Sequence, residues 1–88
     1  MTNTQIMQAW FENLWNRAIE STIDELLAPD AVVHGLGAEA VVGRAQFHEF
    51  YRQFRAAFPT IRVTIERVLE SGDHATAHAR VEFAKANL

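Results

Sequence analysis

The hydrophobic rhythm of this chain changes at one point, and that change limits its fold more than any other feature. In "RAQFHEFYRQFRAAF" Phe47, Phe50, Phe54 and Phe58 recur at spacings of three and four, with Tyr51 beside them. That spacing is one stripe of an α-helix, and Arg44, Glu49, Arg52, Gln53 and Arg55 take the other face. Pro59 then removes a backbone donor and biases Phe58 away from the helical region. Beyond it Ile61, Val63 and Ile65 alternate with Arg62, Thr64 and Glu66, the period of a half-buried strand. At Arg67-Val68-Leu69 the alternation slips by one residue, which predicts a β-bulge or a bend.

The remaining segments extend the same reading. Met7, Trp10, Phe11, Leu14, Trp15 and Ala18 form an earlier helical stripe, with Glu12, Asn13, Asn16 and Arg17 expected on the opposite face. Thr22 and Glu25 predict a capping box for a short second helix that Pro29 ends. "AVVHG" reads as a short strand, and a glycine-containing loop follows it. "SGD" reads as a hairpin turn into "HATAHARVEF". There Ala75, Ala77, Ala79, Val81 and Phe83 share one face, and His74, Thr76, His78, Arg80 and Glu82 the other. Helices and antiparallel strands in this order make an α+β domain with helices against one face of a curved sheet.

Composition bounds the function classes. The 88 residues form a single domain, 1–88, and a chain of this size buries only about 60–65 % of its unfolded surface. With so small a core and no cysteine to staple it, a homodimer or higher homo-oligomer is expected. Eight Lys and Arg against eleven Asp and Glu give a net charge of −3 with no basic stripe, so nucleic acid is not an expected partner. No apolar run reaches membrane-spanning length, and the N-terminus carries no secretory pattern, so no membrane partner and a cytoplasmic location are expected.

Leu14-Trp15-Asn16, Asp30-Ala31-Val32-Val33-His34, Gly43-Arg44, Phe47, Ala57-Phe58-Pro59 and Gly72-Asp73 follow one another in an order that resembles a known family. Over about residues 7 to 83 the chain is similar to the SnoaL-like ester or polyketide cyclase branch of the nuclear transport factor 2-like superfamily. The resemblance implies a cone-shaped, cystatin-like α+β fold whose curved antiparallel sheet and helices enclose an apolar pocket, usually in a dimer. It also implies further strands after "VEFAKANL", carrying an aspartate and a histidine as the acid/base pair. The chain is therefore expected to be incomplete at its C-terminus relative to the family, either with another subunit completing the sheet or as a truncated product of a longer parent.

Two functions stay open at this level. One is a SnoaL-like cyclase, isomerase- or lyase-like, acting without a cofactor on a small apolar carbonyl compound by general acid/base chemistry. The other is a non-catalytic ligand-binding or dimerisation domain of the same fold. His34 is the catalytic candidate, because an uncharged imidazole at a pocket mouth can take or give a proton. Trp10, Leu14, Trp15, Val33, Phe54, Phe58 and Arg80 are expected to line the pocket, Arg80 as a partner for a substrate oxygen. The steroid isomerase branch needs a carboxylate and a tyrosine where this chain has Gly35 and Phe11, which disfavours that chemistry. The limonene epoxide hydrolase branch places a tyrosine and an asparagine where Val33 and Gly35 stand. His74 and His78 are four apart on one strand face and do not chelate, so no metal is expected, and His48 is expected to face solvent.

Overall fold

The computed structural model describes residues 1–84. The chain runs through α1 (Asn3–Ala9), a π-helical segment (Trp10–Asn16), α2 (Thr22–Leu26), β1 (Val32–Val33), β2 (Val41–Val42), α3 (Gly43–Ala57), β3 (Thr60–Ser71) and β4 (His74–Ala84). The twelve residues of β3, at about 3.3 Å each, span about 40 Å and account for most of the 45 Å long axis.

α1 begins in a capping box. The Thr2 hydroxyl accepts from the Gln5 amide, and the Gln5 side chain accepts from the Thr2 amide. The Asn3 side chain donates to Gly72 O at 3.0 Å, and the Thr4 N–H donates to Glu70, so the start of α1 is fixed to the β3–β4 turn. After Ala9 the helix widens. The Arg17 N–H donates to Glu12 O at 2.9 Å, five residues back, as a π-helix requires. An i→i+5 ladder brings residues five apart, such as Trp10 and Trp15, toward one face.

The expected capping box at Thr22 and Glu25 is not formed. Ser21 holds the cap position with helical backbone angles and makes no side-chain bond, while Thr22 is buried inside the first turn of α2. Between β1 and β2 the register is Val32↔Val42 and Val33↔Val41, which closes the glycine-containing loop between them. Gly43 starts α3 at φ +84°, with its N–H donating to Ala31 O at 2.7 Å. The Arg44 guanidinium donates twice to Leu27 O, at 3.0 and 2.6 Å, and so ties this corner to the end of α2.

Leu14, Ile23, Phe47 and Tyr51 form the buried core, where the π segment, α2 and α3 meet. The carbonyls that the π segment frees at its end find partners on α3. Tyr51 Oη donates to Leu14 O at 2.7 Å, and Arg55 Nη1 donates to Trp15 O at 2.9 Å. Asn16 points against β3 and not into solvent. Its Nδ2 donates to Val63 O at 2.8 Å and its Oδ1 accepts from the Val63 N–H at 2.6 Å.

β3 and β4 pair from Thr60↔Ala84 to Ser71↔His74, with Glu66 left out between Ile65↔Ala79 and Arg67↔His78. That unpaired residue is the slip visible in the alternation, and it is a β-bulge. The fold is α+β with antiparallel strands, but the described residues form two separate two-stranded sheets and no closed barrel. A single cone-like curved sheet is thus not what they build. β1 and β2 are two residues each and bond only one another, while the side chain of Asn16 occupies the free edge of β3 at Val63.

Asn16→Ala removes both partners of a half-buried peptide group and should cost about 2 kcal/mol in urea denaturation. Asn16→Asp keeps the acceptor but turns a carboxylate toward the Val63 carbonyl, and should cost at least as much. Gly43→Ala places a Cβ at positive φ, 3.4 Å from Pro29 O, and should cost about 1 kcal/mol or more in the same assay.

Candidate functional site

The inner face of the β3–β4 hairpin and the aromatic stripes above it do not close against each other. They leave a trough of about 310 Å³. The π segment supplies Trp10, Phe11 and Trp15, α3 supplies Phe47, Phe50 and Phe54, and the strands supply Ile61, Val63 and Val81. Val33 of β1 and Leu36 of the following loop complete the wall. The rings form a continuous series. Trp10 lies 5.3 Å from Phe47, Phe47 5.8 Å from Phe50, Phe50 5.7 Å from Phe54, and Phe54 5.6 Å from Trp15. Among the described residues of this wall, only Trp10 and Trp15 carry a side-chain group able to hydrogen-bond.

Of the residues singled out from the sequence, Trp10, Trp15, Val33 and Phe54 are brought together here. Leu14, Phe58 and Arg80 are placed elsewhere. Leu14 is fully buried beneath the wall, because the π segment turns it into the core against Ile23, Phe47 and Tyr51. Phe58 closes the end of α3, with its ring 4.9 Å from Phe54 and 4.8 Å from Phe83. Arg80 lies on the outer face of β4, with a side chain 66 % exposed and 3.7 Å from Glu66 at the bulge. Strand alternation decides that placement, since Val81 takes the inner face. His34 follows β1, is exposed to solvent and does not belong to the wall, although Val33 and Leu36 on either side do.

Phe11, Phe47, Phe50, Ile61, Val63 and Val81 were legible only as helical and strand stripes. Leu36, in an irregular loop, carried no signal of its own.

The titratable groups gather away from the trough, between α2 and α3. His48 Nδ1 is 2.7 Å from Glu20 Oε2, and its Nε2 is 2.9 Å from Asp24 Oδ1. Arg52 donates to Glu20 at 2.8 Å, and Arg44 lies 3.9 Å from Asp24. His48 is therefore a bridging group and does not simply face solvent. The hydrogen bond to Asp24, then that to Glu20, raises its pKa above the ordinary imidazole value. The hydrogen bonds from Arg52 and then His48 lower that of Glu20. Tyr51 is raised by burial. Among the described residues no group of His, Cys, Asp or Glu is arranged to hold a metal ion.

A sequence model described as a SnoaL-like domain matches residues 7–87. The chain belongs to the SnoaL-like domain family, in the nuclear transport factor 2-like superfamily. No curated protein and no solved structure matches it. No helix among the described residues is long and apolar enough to cross a membrane. In this SnoaL-like domain the apolar trough lies between the helical layer and the β3–β4 hairpin. Neither the family nor the trough names a substrate.

The His48 bridge sets a pH dependence. A raised folded pKa stabilises below the unfolded value of about 6.5 and is lost as pH rises through the folded value. The lowered Glu20 pKa stabilises above about 4.5 and is lost as pH falls through its folded value. Stability should therefore be greatest between those two pH values and decline above neutrality. His48→Gln should flatten the alkaline decline, as measured by urea midpoints across a pH series.

Proposed function

We propose that this SnoaL-like domain is a cytoplasmic, self-associating binding domain that takes a small, uncharged, apolar molecule into its aromatic trough. The composition of the wall carries this reading. Hydrocarbon and aromatic surface with two indole donors suits a ligand held by burial and ring contacts, with an oxygen or ring face met by an indole N–H. A volume of about 310 Å³ suits a molecule at the small end of the range that protein pockets hold. Among the described residues of that wall there is no acid, base or nucleophile, which favours binding over proton transfer.

Family membership supports a second reading, cyclase-type acid/base chemistry on a carbonyl compound, with His34 as the proton carrier. The exposure of His34, outside the wall, weighs against it.

The test is titration with the neutral apolar fluorophore N-phenyl-1-naphthylamine, read by energy transfer from Trp10 and Trp15. Saturable one-to-one binding is expected. Leu36→Asp, a change at an exposed loop, should weaken it by about tenfold by setting a charge on the apolar wall. Binding that does not saturate, or that ignores Leu36→Asp, would overturn the reading. Turnover of a small apolar ester that disappears in His34→Ala would establish the cyclase reading instead.

A further inference from the structure

We propose that a second hollow, between α1, the end of α2 and the β3–β4 turn, binds a small primary alkylammonium ion with its charge at Asp73. The hollow holds about 240 Å³. Ile6, Met7, Trp10, Leu26, Leu27 and Ala75 give it apolar walls, and Asn3 and Asp73 stand at the same surface. Trp10 alone is common to this hollow and the aromatic trough. The inference stands apart from what the trough binds.

The sequence sets these residues far apart, and a few bonds bring them together. Asn3 Nδ2 donates to Gly72 O at 3.0 Å, and the Thr4 N–H donates to the Glu70 carboxylate. Both bonds dock α1 on the turn that carries Asp73. Gly72, at φ +56°, supplies the positive φ that a tight hairpin turn requires. Ala75 pairs with Glu70 across the hairpin, and directly paired residues share a face. Glu70 therefore sets a second carboxylate beside the hollow. The Leu27 carbonyl is already bonded twice by Arg44, at 3.0 and 2.6 Å.

The groups left over select the ligand. Asn3 uses its Nδ2 on Gly72, so its Oδ1 remains as an acceptor. Asp73 enters no ion pair among the described residues. A carboxylate and an amide oxygen beside hydrocarbon call for a cation rich in N–H donors, and they disfavour an anion. A primary ammonium offers three donors, and its alkyl chain leaves water against Ile6, Met7 and Leu27. Trp10 adds an aromatic ring, whose face attracts a cation. A bare metal ion is not served, because no group of His, Cys, Asp or Glu among the described residues is arranged to hold one. The space equals about eight waters at liquid density, which suits an alkyl chain of about six carbons with its nitrogen. Asp73 is exposed, so its charge confers a preference more than tight binding.

The test titrates the full chain with n-hexylammonium chloride and follows backbone amide signals by NMR. Saturable shifts are expected at Met7, Asp73 and Ala75, while the trough residues Val33, Leu36 and Val63 stay in place. 1-Hexanol, the same chain without the charge, should bind about three- to fivefold more weakly, the scale of an exposed ion pair. Asp73→Asn keeps a residue that turns accept, and it should remove that preference while leaving 1-hexanol binding unchanged. Ala75→Val suits a strand and occupies part of the hollow, so it should weaken both probes. Shifts centred on Val33, Leu36 and Val63 overturn the proposal, as do shifts that never saturate. Equal binding of 1-hexanol and n-hexylammonium by the unaltered chain overturns it, and so does a preference that survives Asp73→Asn. Because the trough signals are read in the same spectra, the outcome does not depend on whether the trough itself takes a ligand.

Discussion

The carboxamide of Asn16 is the contact on which the rest of the arrangement depends. A strand edge normally satisfies its outward N–H and C=O with another strand or with water. Here one side chain meets both groups of Val63, at 2.6 and 2.8 Å, from the last turn of the π segment. The bond pair fixes the height and angle of the helical layer over β3. It also decides which backbone groups of β4 face outward, because alternation carries the parity of Val63 across the ladder.

Three side chains close the same helix end in different ways. Tyr51 takes the Leu14 carbonyl, Arg55 takes the Trp15 carbonyl, and Asn16 reaches the sheet. The end of the π segment is thereby held between α3 and β3, while its aromatic rings are held apart from the strands. The trough is a consequence of that spacing. Rings in tilted contact, from Trp10 through Phe47 and Phe50 to Phe54, form one wall, and Ile61, Val63 and Val81 of the strands do not reach across to fill the space.

Much of this was legible in the residues, wherever a period was long and regular. The change of rhythm at Pro59, the phenylalanine stripe of α3 and the slip that became the bulge at Glu66 were all visible as patterns. What periodicity missed was set by single hydrogen bonds or by non-standard turns. An α-helical template puts Asn16 on the polar side, and the wider π turn brings it to β3. Thr22 and Glu25 have the spacing of a capping box, yet burial draws Thr22 into the helix and the cap goes unmade. His48 reads as a surface residue until Glu20 and Asp24, distant in sequence, close on both ring nitrogens. His34 was expected at a pocket mouth because it ends the first strand, yet it lies exposed beyond β1, and Arg80 was expected on a cavity-lining face of β4 that turns out to be the outer one. Adjacency along a strand puts side chains on opposite faces.

The β3–β4 hairpin separates its chemistry by face. Charged and hydroxyl groups, Arg62, Thr64, Arg80 and Glu82, occupy the outer face of the hairpin, and the inner face is apolar from Ile61 to Val68. Val81, on the inner face of β4, belongs to the trough wall. Leu36 touches the trough alone, and Arg80 and Glu82 lie on the outer face alone, away from the wall. Substitutions at those three positions separate the two surfaces, because the sheet that divides them is one residue thick and its alternation does not let a side chain serve both faces.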